Sequence, residues 1–342
     1  MVARPAFANR HLNPYNARLY APMAELGVEV REYRVLSCVG RAADLVHVHW
    51  PESTFNHGLA GALWTTEALL GALDLFRARG AKVVWTAHNL EAHERRHPGP
   101  EARFWRRFIR RLDGLLALGE GSLERARAHR PELDRLPAFV TPHPHYRGEF
   151  PDRYSRTEAR RQLELPATGP VLGFFGQIKA YKNVPALIST VGGQYELTLL
   201  VAGKPRDAAM ALEVKRAAEG FDNVRLHLRH LGSEEMQLWL RAVDLVVLPY
   251  RSILNSGSAL LALSFDRPVW LPAGGLAEEL QSAVPAPWVQ SGALGADALH
   301  RALEATRVLP ERSEGEHLSA FAPEAVALRT AHAYRRIVEG SP

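Results

Sequence analysis

The chain has 342 residues, 46% hydrophobic and 23% charged, an ordinary globular balance with enough length for two domains. Its one cysteine, Cys38, excludes an internal disulfide and points to a reducing compartment, and no apolar run reads as a bilayer span of about 20 residues. The net charge of +5 falls entirely in the first half: residues 1–150 hold 21 Lys/Arg and 16 Asp/Glu, leaving 21 (42 − 21) and 21 (37 − 16) in the remainder.

In chain order, the opening MVARPAFANRHLNPYN has no apolar core of a secretory signal, so the expected location is the cytoplasm. Strand-length apolar runs follow at 28–34 (VEVREYR), 45–50 (LVHVHW), 82–88 (KVVWTAH), 114–119 (GLLALG) and 138–143 (AFVTPH). A second series stands at 171–176 (VLGFFG), 197–203 (LTLLVAG), 224–231 (VRLHLRHL), 245–250 (LVVLPY) and 268–273 (PVWLPA). Segments with helical apolar spacing, such as NARLYAPMAELG and SEEMQLWLRAVD, separate them. Near-continuous apolar strands alternating with helices predict parallel sheets covered on both faces.

The proline-rich, polar stretch TPHPHYRGEFPDRYS at 141–155 divides the two series. The expected organisation is an α/β fold of two doubly wound, Rossmann-like domains, residues 1–150 and 151–322, facing across a cleft. Residues 323–342 read as a terminal helix with Pro323 near its start, crossing back to the first domain.

The basic stretch RRHPGPEARFWRRFIRRLD at 95–113 sets Phe104, Trp105, Phe108, Ile109 and Leu112 on one helical stripe among arginines. Such a helix can lie on an anionic membrane, or it can pack its stripe against its own sheet. A basic half likewise suits a polyanionic neighbour or a solvated arginine-rich face. No nucleic-acid partner is expected.

Two loops suit an anion. After LVVLPY the chain runs through Asn255, Ser256, Gly257 and Ser258 into the apolar helix ALLALSF. A helix N-terminus offers free amides, Gly257 admits a ligand to the backbone, and serine hydroxyls add donors. The alternative is a serine cap with no ligand. After VLGFFG, which ends at Gly176, a second loop carries Lys179 and Lys182 beside the helix that follows. Both loops follow strand ends of the same domain, and together they favour a nucleotide diphosphate.

With these features the second half resembles the donor-binding domain of GT-B glycosyltransferases of the group-1 type. The resemblance rests on FFGQIKAYKNVPALI, LTLLVAGKP, NVRLHLRHLGSEEMQLWLRAVDLVVLPY and NSGSALLALSFDRPVW. The first half is similar through NPYNARLYAPMAELGVEV, ADLVHVHWPE, KVVWTAHNLEAHE and LDGLLALGEGSLERA. The resemblance implies GT-B architecture, with acceptor binding in the N-terminal domain and nucleotide-sugar binding in the C-terminal one. It assigns the nucleobase to the loop at Arg229, His230 and Leu231.

There are departures. Asn13-Pro14-Tyr15-Asn16 replaces the family's glycine-rich turn, and Gln177 stands where an arginine is usual. The paired glutamates of retaining members align with Leu254 and Leu261.

Glycosyl transfer needs a stabilised leaving diphosphate and a base for the acceptor hydroxyl. The sequence has no Asp-x-Asp, so no metal or cofactor is expected, and the nucleotide sugar is a substrate. The base candidates, in order, are His88, Glu91 and Glu52, near the ends of first-domain strands. The expected activity is hexosyl transfer from a nucleotide sugar, GDP-mannose by likeness to bacterial exopolysaccharide mannosyltransferases. The expected acceptor is a glycan or lipid-linked saccharide in polysaccharide or glycolipid assembly, at the inner face of the cell membrane. A nucleotide-sugar epimerase of this fold, or a non-catalytic nucleotide-binding module, is the alternative.

Overall fold

The structure is a computed structural model that describes residues 1–34, 42–56, 58–90, 97–252 and 254–340. Cys38, Glu91, Arg95 and Arg96 lie outside the described residues. The chain forms two compact units, Met1–Pro144 with Phe321–Pro342, and His145–Ala320.

Unit 1 holds a six-stranded, all-parallel sheet: β1 (Val2–Arg4), β2 (Arg31–Glu32), β3 (Leu45–Val48), β4 (Lys82–Thr86), β5 (Gly114–Ala117) and β6 (Ala138–Val140). The order is β2-β1-β3-β4-β5-β6. Side chains alternate between faces along each strand. Val46, Val83, Trp85 and Leu115 enter one core, with Leu69, Leu73 and Phe76 of helix Leu59–Ala78. Leu45, Val84 and Leu116 enter the other, with Tyr15, Tyr20 and, from the terminal helix Pro323–Glu339, Val326, Tyr334 and Ile337. Both faces are covered, which is why these strands read as unbroken apolar runs. A Cβ on Gly114 would stand 2.4 Å from Ile337 Cδ1, so the absence of a side chain there lets the terminal helix sit directly on β5.

Helix Pro98–Ile109 turns its aromatic stripe inward: Phe104, Trp105, Phe108 and Ile109 are core residues. Of the two readings of this stripe, packing against the protein's own sheet is the one that holds, because its apolar atoms already have a protein partner. Helix Leu59–Ala78 is long and apolar enough, by composition, to cross a bilayer. Thr65, Thr66, Glu67 and Asp74 interrupt its apolar run, and Leu69, Leu70, Leu73 and Phe76 are buried in the core of unit 1.

Unit 2 holds β7 (Val171–Phe175), β8 (Thr198–Ala202), β9 (Val224–His227), β10 (Leu245–Val247), β11 (Val269–Pro272) and β12 (Val289–Gly292), all parallel. Their order is β12-β11-β10-β7-β8-β9. Counted from β7 this is the dinucleotide-binding order 3-2-1-4-5-6, whose direction reverses between its first and fourth strands. Here those are β7 and β10, paired through Leu172 and Leu245. Ligands bind such sheets beyond the carboxyl ends of the strands at the reversal. The loops at that point follow Phe175 and Val247.

Candidate functional site

In unit 2, β7 delivers Gly176 in a left-handed conformation at φ +111°. Its amide donates to Ala202 O at 3.0 Å, pinning the loop to β8. The chain then makes a 3-10 turn over Ala180–Lys182, passes Asn183 at φ +56°, and enters helix Val184–Val191 with Pro185 in its first turn. This geometry folds Lys182 back over the glycine. A Cβ on Gly176 would lie 3.3 Å from Lys182 Nζ and 3.4 Å from Ser258 Oγ. Lysine and serine from two separate segments therefore converge on the half-buried backbone of Gly176.

Lys182 is 91% buried, and among the described residues no carboxylate lies within ion-pair distance of it. Its ammonium sits 5.3 Å from the Tyr250 ring centre and 5.8 Å from that of Phe174. Burial lowers its pKa, the cost of holding a cation without a counter-anion.

Across the site, helix Gly257–Ser264 begins with Ser256 as its cap, the Oγ accepting from Ala259 N at 3.1 Å. So the capping role weighed for this serine is present. The amides of Gly257 and Ser258 are first-turn groups with no intrahelical acceptor. Burial raises the pKa of the Tyr250 hydroxyl to about 12, and the Ser258 and Ser256 side chains act on it in the opposite sense. Arg251 ties the loops together, its amide donating to Tyr181 O at 2.8 Å and its Nε to Asn183 Oδ1 at 3.0 Å. Lys179 and Asn255 are half-buried in the same two loops, and Gln177 is exposed.

Beyond β9, Arg229 pairs with Glu235, donating from Nη1 at 2.8 Å. His230 is exposed and Leu231 is buried.

Gly203, not singled out in the sequence, matters as much as Gly176. A Cβ there would fall 1.9 Å from Gly176 O. Its amide donates to His227 O at 3.0 Å, tying the end of β8 to β9, while its missing side chain leaves room for the β7 loop.

In unit 1 the order reverses between β1 and β3. After β3 the chain turns at Trp50, whose φ of +43° is unusual for a bulky side chain. The Trp50 ring stacks on His88 with centres 4.2 Å apart, and Tyr15 meets His88 edge-on at 4.8 Å. Behind them runs a buried chain of hydrogen bonds. His88 Nε2 is 2.8 Å from His49 Nδ1, and His49 Nε2 is 2.6 Å from the Tyr20 hydroxyl. Tyr20 and Tyr334 reach His47 Nδ1 at 2.8 and 2.6 Å, and His47 Nε2 meets Thr86 Oγ1 at 2.7 Å. Burial lowers His88 and His49 well below the usual histidine range, His47 to about 3 and His143 to about 4. All four are neutral near pH 7.

Glu52 stands two residues beyond Trp50 and is 94% buried. Its Oε1 accepts from Asn89 Nδ2 at 2.6 Å, while Oε2 is buried with no hydrogen-bond partner among the described residues. Burial raises its pKa from 4.5 to about 7, against the Asn89 hydrogen bond, which lowers it. A carboxylate poised near neutrality with one vacant oxygen has the properties of a general base. His88, first in the sequence ordering, has Nε2 engaged and a depressed basicity. Among the described residues, no group of three His, Cys, Asp or Glu side chains is placed to hold a metal ion.

No protein-family model matches the chain. Over 309 residues it is 28% identical to the GDP-mannose:glycolipid 4-beta-D-mannosyltransferase of Xanthomonas campestris pv. campestris, covering 88% of this chain and 82% of that one. Among solved structures, a glycosyltransferase from Rickettsia africae matches with a TM-score of 0.67 at 9% identity, over 99% of this chain and 98% of that one. Sucrose-phosphate synthase from Thermosynechococcus elongatus matches at 0.61 and 19% identity, over 87% and 74% of the two chains. A glycosyltransferase of avilamycin A biosynthesis matches at 0.60 and 17% identity, over 96% and 90%. The chain has the GT-B fold, and its homologues and structural neighbours are glycosyltransferases.

Proposed function

We propose that this protein is an inverting, metal-independent hexosyltransferase that moves mannose from GDP-mannose to a lipid-linked saccharide. The observation that carries this reading is the buried Lys182, without a carboxylate partner, beside Ser258 Oγ over Gly176. A cation held at such a cost is explained by an anion that arrives with the substrate. In this reading the donor diphosphate lies on Gly176, with Lys182, the Gly257 and Ser258 amides and the serine hydroxyls as donors. Lys179 and Asn255 flank it, and the base lies toward Arg229, His230 and Leu231.

As transfer proceeds, the bond between sugar C1 and the phosphate oxygen breaks and negative charge grows on the departing GDP. Fixed N–H and ammonium donors stabilise that charge. The acceptor oxygen bonds to C1 from the opposite face as its proton passes to Glu52 Oε2. The curated relative makes a β-linked mannoside, and forming one from an α-linked nucleotide sugar requires inversion. Leu254 and Leu261, where retaining members carry glutamates, agree with it. The donor sugar and the glycolipid acceptor come from the relative's activity, and we assign the chain to polysaccharide or glycolipid assembly at the cytoplasmic face of the membrane as part of the same proposal.

Release of GDP from GDP-mannose, with and without a lipid-linked oligosaccharide, tests the proposal. Release that requires acceptor, with a mannosylated product, supports it. Conversion of the sugar without acceptor would favour an epimerase, and GDP binding with no turnover on any donor would favour a binding module.

A further inference from the structure

Unit 2 has a cavity of about 380 Å³ at the end of its sheet away from the diphosphate loops. Pro170 stands just before β7, Asp244 just before β10 and Pro268 just before β11, and all three line it. The cavity therefore lies at the amino ends of β7 and β10, whose carboxyl ends carry Gly176 and the Tyr250 loop. β7 is five residues long, which sets the two places about 15 Å apart. Helix Ala296–Thr306 and the segment after it add Leu303, Leu309 and Pro310 as apolar walls.

The polar lining is short of acceptors. Arg267 is 96% buried, and among the described residues no carboxylate lies within ion-pair distance of it. Its Nε and Nη1 donate to Phe265 O and Val243 O at 3.2 Å each, and its Nη2 donates to Glu311 O. A guanidinium has five N–H groups, so one on each Nη remains. Arg156 pairs with Asp244 at 2.5 Å, while its Nε is buried with no hydrogen-bond partner among the described residues. The carboxylates of the lining are already engaged. Asp244 answers Arg160 as well as Arg156, and Asp266 answers Arg147, with Arg241 3.8 Å away. Glu304 pairs with Arg307 at 2.7 Å, and Glu311 Oε1 accepts from Arg156 N at 2.8 Å.

We propose that this cavity binds a small organic anion, its carboxylate or phosphate head on Arg267 and Arg156 and its apolar body against Leu303, Leu309 and Pro310. Guanidinium groups match the oxygens of either head. An apolar cavity of this size with a few convergent donors is the usual form of a small-molecule site. A neutral ligand would leave the buried charge of Arg267 without a counter-ion, and a cation would be repelled by it. A purely structural clamp accounts for the three N–H groups bound to carbonyls, but not for a cavity beside an arginine with two more to give. The site is separate from the proposed nucleotide site, and the inference stands or falls apart from the transfer reaction.

The test is calorimetric titration of the full chain with phenyl phosphate and with benzoate, using benzyl alcohol as the uncharged control. We expect at least one anion to bind saturably with a Kd of about 1 mM or tighter, and the alcohol to bind at least tenfold more weakly. Whichever anion binds names the head group. An anion can also enter the Lys182 loops, so the titrations are repeated on Lys182→Ala, where the binding should persist. Arg267→Met should weaken it at least tenfold. Leu309→Trp, which fills the cavity and leaves Arg267 in place, should do the same even if Arg267→Met folds poorly. The inference is overturned if neither anion binds or if benzyl alcohol binds as well as they do. Binding that disappears in Lys182→Ala, or is unchanged in Leu309→Trp, overturns it too.

Discussion

Asn89 Nδ2 donates to Glu52 Oε1 at 2.6 Å, and this leaves Glu52 Oε2 as a buried oxygen without a partner among the described residues. The pair combines a fixed carboxylate with a vacant lone pair. If Oε2 takes the acceptor proton, Glu52→Gln should lower turnover about 100-fold or more, the scale of general-base catalysis. GDP affinity should stay within about twofold, since Glu52 belongs to unit 1 and the diphosphate loops to unit 2. The rate should rise with pH through an apparent pKa near 7, where Glu52 loses its proton. Full turnover in the Gln variant would move the role to His88 or to Glu91.

The same carboxyl makes a stability prediction. Its folded pKa of about 7 lies above the ordinary 4.5, so the folded state holds the proton more tightly. That contribution is fully present below pH 4.5 and lost as pH rises through 7. Urea unfolding should therefore find Glu52→Gln gaining stability on the parent between pH 4 and pH 8. An unchanged difference across that window would contradict the burial of the charge.

The histidines act with the opposite sign. His47, His49, His88 and His143 have folded pKa values below 6.5, so the unfolded chain binds their protons first. Their contribution is present above pH 6.5 and falls away as pH drops toward 3 to 4. Urea midpoints should decline from pH 7.5 to 5.5, with a slope of more than one proton taken up on unfolding. Four histidines outweigh the single contrary carboxyl, so a flat profile would mean the cluster is open to water.

Gly203→Ala should damage the nucleotide loop without touching a ligand. The new Cβ would fall 1.9 Å from Gly176 O, which is backbone and cannot rotate away. The loss expected is of order 1–3 kcal/mol in stability, as for other strained backbone changes, with GDP affinity reduced at least tenfold. Melting and titration calorimetry of the variant check both.

The strands at 82–88, 171–176 and 245–250 are legible in the sequence because burial on both faces makes most positions apolar. β1 and β12 are not: VAR and VQSG are too short and too polar to stand out, and their place is set by neighbouring strands. VEVREYR contributes only Arg31–Glu32 as strand. Gly176, Lys182 and Ser258 could be named because loop chemistry is local. Gly203 could not, since its constraint is the approach of a carbonyl 27 residues away (203 − 176). The Tyr334–His47 contact spans 287 residues and left no local signal. The basicity of Glu52 comes from burial, which a sequence does not display.

The central claim is that Lys182 and the helix amides grip a nucleoside diphosphate unaided by a cation. Titration calorimetry of GDP into the protein in excess EDTA measures it directly. We expect binding that survives EDTA and weakens tenfold to a hundredfold in Lys182→Ala, the range for a hydrogen bond to a charged group. GDP binding that vanishes in EDTA and returns with magnesium, or is unaltered in Lys182→Ala, would contradict the account.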